Sequence, residues 1–256
     1  MLPSLPTSLG EVVTRTIAAH DVDRHRRATL PALVNYLNDA AMQNVLRLRL
    51  SVWDLAPRGI SWVLLKHRFT LRRLPELGET ITIMTYPAGF QRSFTYRDYR
   101  VFDAQGVEIA HCASQWLLLD LNSRQLTTIP EDILAHRSDL PAAKDCLPRN
   151  FSRIVCPSEY VTRHQHAVRY FDLDWNEHLN NGVFIRWLLE ALDSDLLSRG
   201  APRTLEIHYK KEARLGQVLT SQLGRGEQPF YHQLSFADGT VAAVARSEWS
   251  KEGSNQ

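Results

Sequence analysis

Cysteine is scarce in this chain. The three present, Cys112, Cys146 and Cys156, are odd in number and lack the paired spacing of a metal site. They fit structural thiols in a reducing compartment and argue against a disulfide framework. No apolar run approaches the roughly 20 residues of a membrane-spanning helix. The first residues, MLPSLPTSLGEVV, carry no basic flank and no long apolar core, so they do not read as a secretory signal. Charge of one sign is missing too. The 30 Lys+Arg and 28 Asp+Glu leave a formal charge of +2, too little to argue for nucleic acid. No Gly-x-Ser-x-Gly elbow and no glycine-rich phosphate loop occurs, which removes the usual serine-hydrolase and nucleotide readings. What remains is a globular balance, 44% hydrophobic and 23% charged over 256 residues, enough for one large domain or two ordinary ones.

The chain repeats itself. Leu77 to Trp116 and Leu215 to Trp249 each open on Leu-Gly and run through alternating strand-like positions. Each turns at a glycine hairpin signal, Phe-Asp-Ala-Gln-Gly106 or Phe-Ala-Asp-Gly239, and closes on Ser-x-Trp. Four landmarks in one order imply a duplicated unit. Upstream, Glu11–Asp23 matches Val161–Asp174 as a strand ending in an Asp-x-Asp pair. A helix follows each, with an apolar stripe at Leu33, Leu37, Ala41, Val45 and Leu48 in the first half. The second-half stripe runs through Val183, Phe184, Trp187, Leu188, Ala191, Leu192 and Leu196. Thr29 is placed to cap the first helix and Pro31 to open it. Strands are expected near Ser61–Phe69 and Thr204–Lys211. Without a βαβ rhythm, this order predicts an α+β fold in which an antiparallel sheet packs on one helix per half. The seam falls near Pro141–Asn150, giving an N-terminal unit over residues 1–140 and a C-terminal unit over 152–252.

The second half carries a polar cluster that the first lacks. Asp172, Asp174, Asn176, Glu177, His178, Asn180 and Asn181 crowd into ten residues ahead of a helix N-terminus, where free N–H donors and a partial positive charge favour carboxylate chemistry. A single cap needs one such residue, not seven. In the first half Asp23 is followed by Arg-His-Arg-Arg, and Leu74 stands opposite Glu212 when the Leu-Gly landmarks are aligned. A calcium loop is excluded because its sixth and twelfth positions are Glu177 and Val183, not Gly and Glu. His164 and His166 share a strand face, but no carboxylate or cysteine at firm spacing completes a metal set with His178. A carboxylate here can attack a carbonyl or activate a water, Asn176 can hold either group, and His178 can move a proton. Backbone N–H groups from Asn180 to Val183 are candidates to receive an oxyanion. Such a site suits hydrolysis of an activated ester without metal or cofactor. On strand parity alone, Glu212 lies opposite the face of Leu205, Ile207 and Tyr209 unless the strand ends or bulges first.

The run Asp174-Trp-Asn176-Glu-His178-Leu-Asn180-Asn181, followed by Trp187, resembles the signature of acyl–acyl carrier protein thioesterases. Tyr209-Lys-Lys-Glu212-Ala213, Gly59-Ile-Ser-Trp-Val-Leu64 and Trp116-Leu-Leu-Leu-Asp120 resemble further motifs of that family, in the correct order over roughly Val12 to Trp249. The resemblance implies two tandem hotdog domains, each a long helix wrapped by an antiparallel sheet, and hydrolysis of fatty acyl thioesters to free fatty acids. It implies a catalytic set of Asp174, Asn176, His178 and Glu212. It also implies an acyl tunnel lined from the first-half helix and the Trp62–Leu65 strand, with Met42, Val45, Trp53, Trp62 and Leu64 as candidate substrate contacts. The expected partner is an acidic acyl carrier protein, with Arg24, Arg26, Arg27, Lys210, Lys211 and Arg214 as candidate docking charges. No cofactor, metal, nucleic acid or membrane span is expected, and a homodimer is left open. Family members often have cysteine after the glutamate. Ala213 stands there, so no thiol nucleophile acts from that position. Plant members carry a plastid transit peptide, and a start so close to the first unit fits a bacterial, cytoplasmic enzyme. Hydrolysis of acyl-coenzyme A, or acyl binding without hydrolysis, are the alternatives.

Overall fold

The computed structural model describes residues 2–155 and 159–250. Cys156 lies outside them, as do the side chains of residues 161–163. The first half runs β1 (Glu11–Thr16), α1 (Leu30–Arg47), α2 (Val52–Leu55), β2 (Ile60–Leu71), β3 (Thr80–Gln91), β4 (Phe94–Phe102), β5 (Glu108–Asp120) and α3 (Glu131–Leu134). The second runs β6 (Tyr160–Ala167), α4 (Asn181–Leu189), α5 (Ser194–Ser198), β7 (Thr204–Tyr209), β8 (Val218–Gly224), β9 (Phe230–Phe236) and β10 (Val241–Glu248).

All ten strands form one antiparallel sheet in the order β1-β3-β4-β5-β2-β7-β10-β9-β8-β6. Counted outward from its centre, each half gives the same order, and β2 and β7 join them through the register Lys66↔His208 to Thr70↔Thr204. The duplication reaches single bonds. Gly78 and Gly216 share φ of 79°, and hairpin glycines Gly106 and Gly239 sit at 78° and 82°. The closing tryptophans match as well, Trp116 Nε1 donating to Ser114 Oγ at 2.8 Å and Trp249 Nε1 to Ser247 Oγ at 3.1 Å.

One helix per half lies against this sheet, and α1 packs on α4. Thr29 caps α1, its Oγ1 accepting the Ala32 N–H, and Pro31 sits in the first turn. The helix buries Leu30, Leu33, Val34, Leu37 and Ala40 in a core that continues into the second half through Phe184, Ile185 and Leu188. The expected long second-half helix is instead broken after Leu189. Asp193, Ser194 and Asp195 favour caps over helix interiors, and a new helix starts there as α5. Leu196 therefore sits on α5, packed against the main core. The seam segment is no free linker. Its Leu147 N–H donates to Asp98 Oδ2 at 2.7 Å and Asp145 C=O accepts from Tyr86 Oη at 3.0 Å, so it straps the sheet face opposite α1.

Gly182, in the first turn of α4, sets how closely the two helices approach. A Cβ there would lie 2.9 Å from Asn35 Oδ1 and 3.1 Å from the Pro31 carbonyl. Gly182→Val is expected to lower the unfolding free energy by roughly 1–3 kcal/mol through overpacking. Urea denaturation measures it, and unchanged stability would show that the helices do not depend on this contact.

Candidate active site

The loop before each helix is built alike. In the first half Asp23 Oδ1 accepts the N–H groups of His25 (2.8 Å) and Arg27 (3.0 Å), and Arg26 takes φ of +62°. In the second half Asp174 Oδ1 accepts those of Asn176 (2.8 Å) and His178 (3.2 Å), with Glu177 at +59°. Each loop then donates one N–H to the segment opposite it, Ala28 to Pro75 C=O at 2.8 Å and Leu179 to Ala213 C=O at 2.7 Å. That last pair puts Leu74 and Glu212 at equivalent positions, as the alignment of the repeats expects.

The parity problem at Glu212 is resolved by the end of β7. The strand stops at Tyr209, and the N–H groups of Lys210 and Lys211 both point at Ala242 C=O, at 2.8 and 3.1 Å. Two residues on one acceptor break the alternation, and the chain swings Glu212 under the Asp174 loop. There Glu212 Oε2 lies 3.1 Å from His178 Nε2. The same oxygen accepts from Arg124 Nη2 at 2.8 Å and has Arg214 Nη2 at 3.7 Å. Oε1 takes part in none of these contacts. Arg214 Nη2 is also 3.1 Å from His178 Nε2. The ring nitrogen serves one neighbour at a time: protonated, it donates to Glu212, and bare, it accepts from Arg214.

Asp174, Asn176, His178 and Glu212 all line one cavity of about 930 Å³ that opens between the halves. Met42, Val45, Trp53, Trp62 and Leu64 line it as well. The Asn176 side chain is solvent-exposed, and Asp172 is turned away, accepting from the Arg169 N–H and from Arg186. The expectation of free N–H donors from Asn180 to Val183 needs correction. Asn180 N–H goes to Asp172 C=O, Gly182 N–H to Asn180 Oδ1, and Val183 N–H to Asn180 C=O. Asn180 is itself the cap of α4, so the Asn181 N–H is the donor left open in that stretch. His164 and His166 stand on β6 away from the cavity, His166 stacking on Trp187 with ring centroids 4.7 Å apart. Among the described residues, no group of His, Cys, Asp and Glu is placed to hold a metal ion. Of the candidate docking charges, Lys210, Lys211 and Arg214 line the cavity, whereas Arg27 is tied to Asp23 and to Ser198 C=O.

Two contacts at the cavity that join the halves escaped the sequence. Arg124 sits at φ +57° in the turn after β5, where Asp120 Oδ1 accepts from Asn122 and Ser123. The turn is legible in the sequence, but its partner Glu212 lies 88 residues away and leaves no local signal. Trp175 contacts Trp53 across the halves, ring centroids 5.1 Å apart.

A family model described as acyl-ACP thioesterase N-terminal domain matches residues 14–136, and its C-terminal counterpart matches 157–251. The chain belongs to the acyl-ACP thioesterase family. Among its curated relatives, a chloroplastic acyl-[acyl-carrier-protein] hydrolase of Cuphea viscosissima is 26% identical over 95% of this chain and 65% of its own length. A chloroplastic palmitoyl-acyl carrier protein thioesterase of Arabidopsis thaliana is 23% identical over 93% and 63%. The chain thus spans just under two thirds of these relatives. The fold matches an acyl-ACP thioesterase from Bacteroides thetaiotaomicron with a TM-score of 0.85 at 22% identity, covering 94% of this chain and 98% of that one. It matches a 12:0-ACP thioesterase from Umbellularia californica at 0.83 and 20% identity, covering 95% and 98%.

Because Asp23 makes the same bonds in the first-half loop, one job of Asp174 is to hold its loop. Asp174→Ala should lower stability by about 1–2 kcal/mol by leaving two N–H groups without their acceptor. Asp174→Asn, whose Oδ1 accepts the same bonds, should melt close to wild type. Equal melting curves for the two variants would contradict the loop-holding role.

Proposed function

We propose that this chain hydrolyses fatty acyl thioesters of acyl carrier protein, releasing the fatty acid and the carrier thiol. The observation that carries the reading is Glu212. Of the two second-half carboxylates that line the cavity, Asp174 and Glu212, it is the one with no acidic counterpart in the first half, and its Oε2 is held by Arg124 and His178 while Oε1 takes part in neither contact. In this mechanism Oε1 takes a proton from a water that attacks the thioester carbonyl. The negative charge that develops on the carbonyl oxygen is received by the Asn181 N–H at the start of α4, where the helix end adds a partial positive charge. As the C–S bond breaks, His178 passes a proton to the departing sulfur and Arg214 bonds to the bared ring nitrogen. Asp174 keeps His178 and Asn176 in place through its Oδ1. A direct attack by Asp174 is less favoured, because the equivalent Asp23 makes the same loop bonds without any such partner. Asn176, exposed at the cavity wall, is suited to hold the water or the substrate amide.

The acyl chain enters the apolar part of the cavity, against Met42, Val45, Trp62 and Leu64. Lys210, Lys211 and Arg214 at the polar end suit an anionic carrier, whether an acidic carrier protein or the phosphates of coenzyme A, and the names of the relatives favour the carrier protein. An acyl-coenzyme A substrate is the second reading.

Thiol release from matched acyl-carrier and acyl-coenzyme A esters tests the proposal. Glu212→Gln should lower kcat at least a hundredfold, on the order expected for loss of a general base, with a folded protein. Carrier esters should be preferred, and their kcat/KM should fall more steeply with salt than that of the coenzyme A esters. Full activity in Glu212→Gln would overturn the assignment of the base. No release from either ester, with acyl ligands still bound, would leave a binding protein.

A further inference from the structure

Two of the six tryptophans are exposed, and both stand at the cavity. Trp53 is 55% exposed and Trp175 51%, whereas Trp62 and Trp116 are half-buried and Trp187 and Trp249 buried. Large rings left in water at a cavity rim mark a place where a ligand can cover them. The two meet from opposite halves, ring centroids 5.1 Å apart and planes tilted by 46°. Their N–H groups are uncommitted as well. The indoles of Trp62, Trp116 and Trp249 donate to Leu50 C=O, Ser114 Oγ and Ser247 Oγ. Among the described residues, no protein acceptor meets the indole N–H of Trp53 or Trp175.

Both rings stand on fixed supports. Trp53 is carried by α2, whose turn is tied by Ser51 N–H donating to Asp54 Oδ2 at 2.9 Å. Leu55 anchors the same turn, buried with Ile60, Leu118 and Ile133. Trp175 lies between Asp174 and Asn176 in the loop that Asp174 Oδ1 closes. The first-half loop makes the same bonds with an exposed Arg24 at that position, so the loop's architecture does not demand the ring. Trp175 is three residues from His178, which places their Cα atoms at most about 11 Å apart. His178 Nε2 in turn is 3.1 Å from Glu212 Oε2. What passes the rim in the proposed reaction is the arm linking the thioester sulfur to its carrier. In acyl carrier protein and coenzyme A alike, that arm is a neutral chain of methylenes and two amides. Charged side chains have little to hold on it. Aromatic faces cover its methylenes and amide planes, and indole N–H groups suit its carbonyls. An acyl tail in the same place would leave both N–H groups without an acceptor.

We propose that Trp53 and Trp175 form a clamp, one ring from each half, that grips the amide-bearing arm and positions the thioester before Glu212. The inference rests on the acyl-thioester reading, and its test separates the two. Hydrolysis is compared for three esters of one fatty acid: on carrier protein, on pantetheine, and on ethanethiol, which carries no amide. Wild type should prefer the pantetheine ester to the ethanethiol ester by about tenfold or more in kcat/KM. Trp53→Leu and Trp175→Leu should remove most of that preference, with the loss mainly in KM. Trp175→Phe keeps a ring face and should recover part of it. The ratio between esters is the readout, because a damaged fold lowers all three together. Calorimetry with S-alkyl pantetheine, a thioether that resists hydrolysis, and with S-alkyl thioglycerol of the same chain measures the preference without turnover. The proposal is overturned if wild type shows no preference for the amide-bearing arm in either assay. It is equally overturned if the leucine variants weaken all ligands alike, or none. If no ester is hydrolysed while the calorimetric preference appears in wild type and vanishes in Trp53→Leu, the thioesterase reading fails and the clamp stands.

Discussion

The pairing of β2 with β7 is the constraint on which the rest of the structure depends. Each half has a helix, five strands and an Asp-centred loop, and alone each would present an open sheet edge. Joined in antiparallel register, the half-sheets become one and α1 packs on α4. The end of β7 also comes to lie at the same end of the sheet as the end of β5. From those two ends come Glu212 and Arg124, which meet at 2.8 Å. The proposed site therefore draws on both halves, its carboxylate and imidazole from the second and one supporting cation from the first.

Duplication explains what each acidic residue does. Asp23 and Asp174 make the same bonds to the loops that follow them, so that pattern is inherited architecture. Divergence is confined to what the loops carry. Where the second half has His178, the first has Arg27, tied to Asp23 and to Ser198 C=O. Where the second half has Glu212, the first has Leu74, partly buried against the core. The first half has a salt bridge and an apolar contact at these positions, and residues of α1 such as Met42 and Val45 line the cavity.

Much of this was legible in the chain. Alternation and glycine turns give the strands, because side-chain period and positive φ are local properties. The repeat gives the symmetry, and the polar run from Asp174 leads to residues that line the cavity. What was hidden depended on long-range geometry. The bend that brings Glu212 inward follows from two N–H groups sharing Ala242 C=O. Arg124 finds its partner across the halves, and Trp175 meets Trp53 in the same way. The break in the second helix was missed because the apolar stripe continues through Leu196, while Asp193, Ser194 and Asp195 stop the backbone.

The central claim is that Glu212, held by Arg124 from the other half, is the working carboxylate of a single shared site. A double-mutant cycle on kcat, with Arg124→Met, Glu212→Gln and the pair, tests it most directly. If Arg124 acts through Glu212, each single change slows turnover, Arg124→Lys recovers part of the loss, and the double variant is no slower than Glu212→Gln alone. Losses that simply multiply in the double variant, or an Arg124→Met enzyme as fast as wild type, would contradict the account.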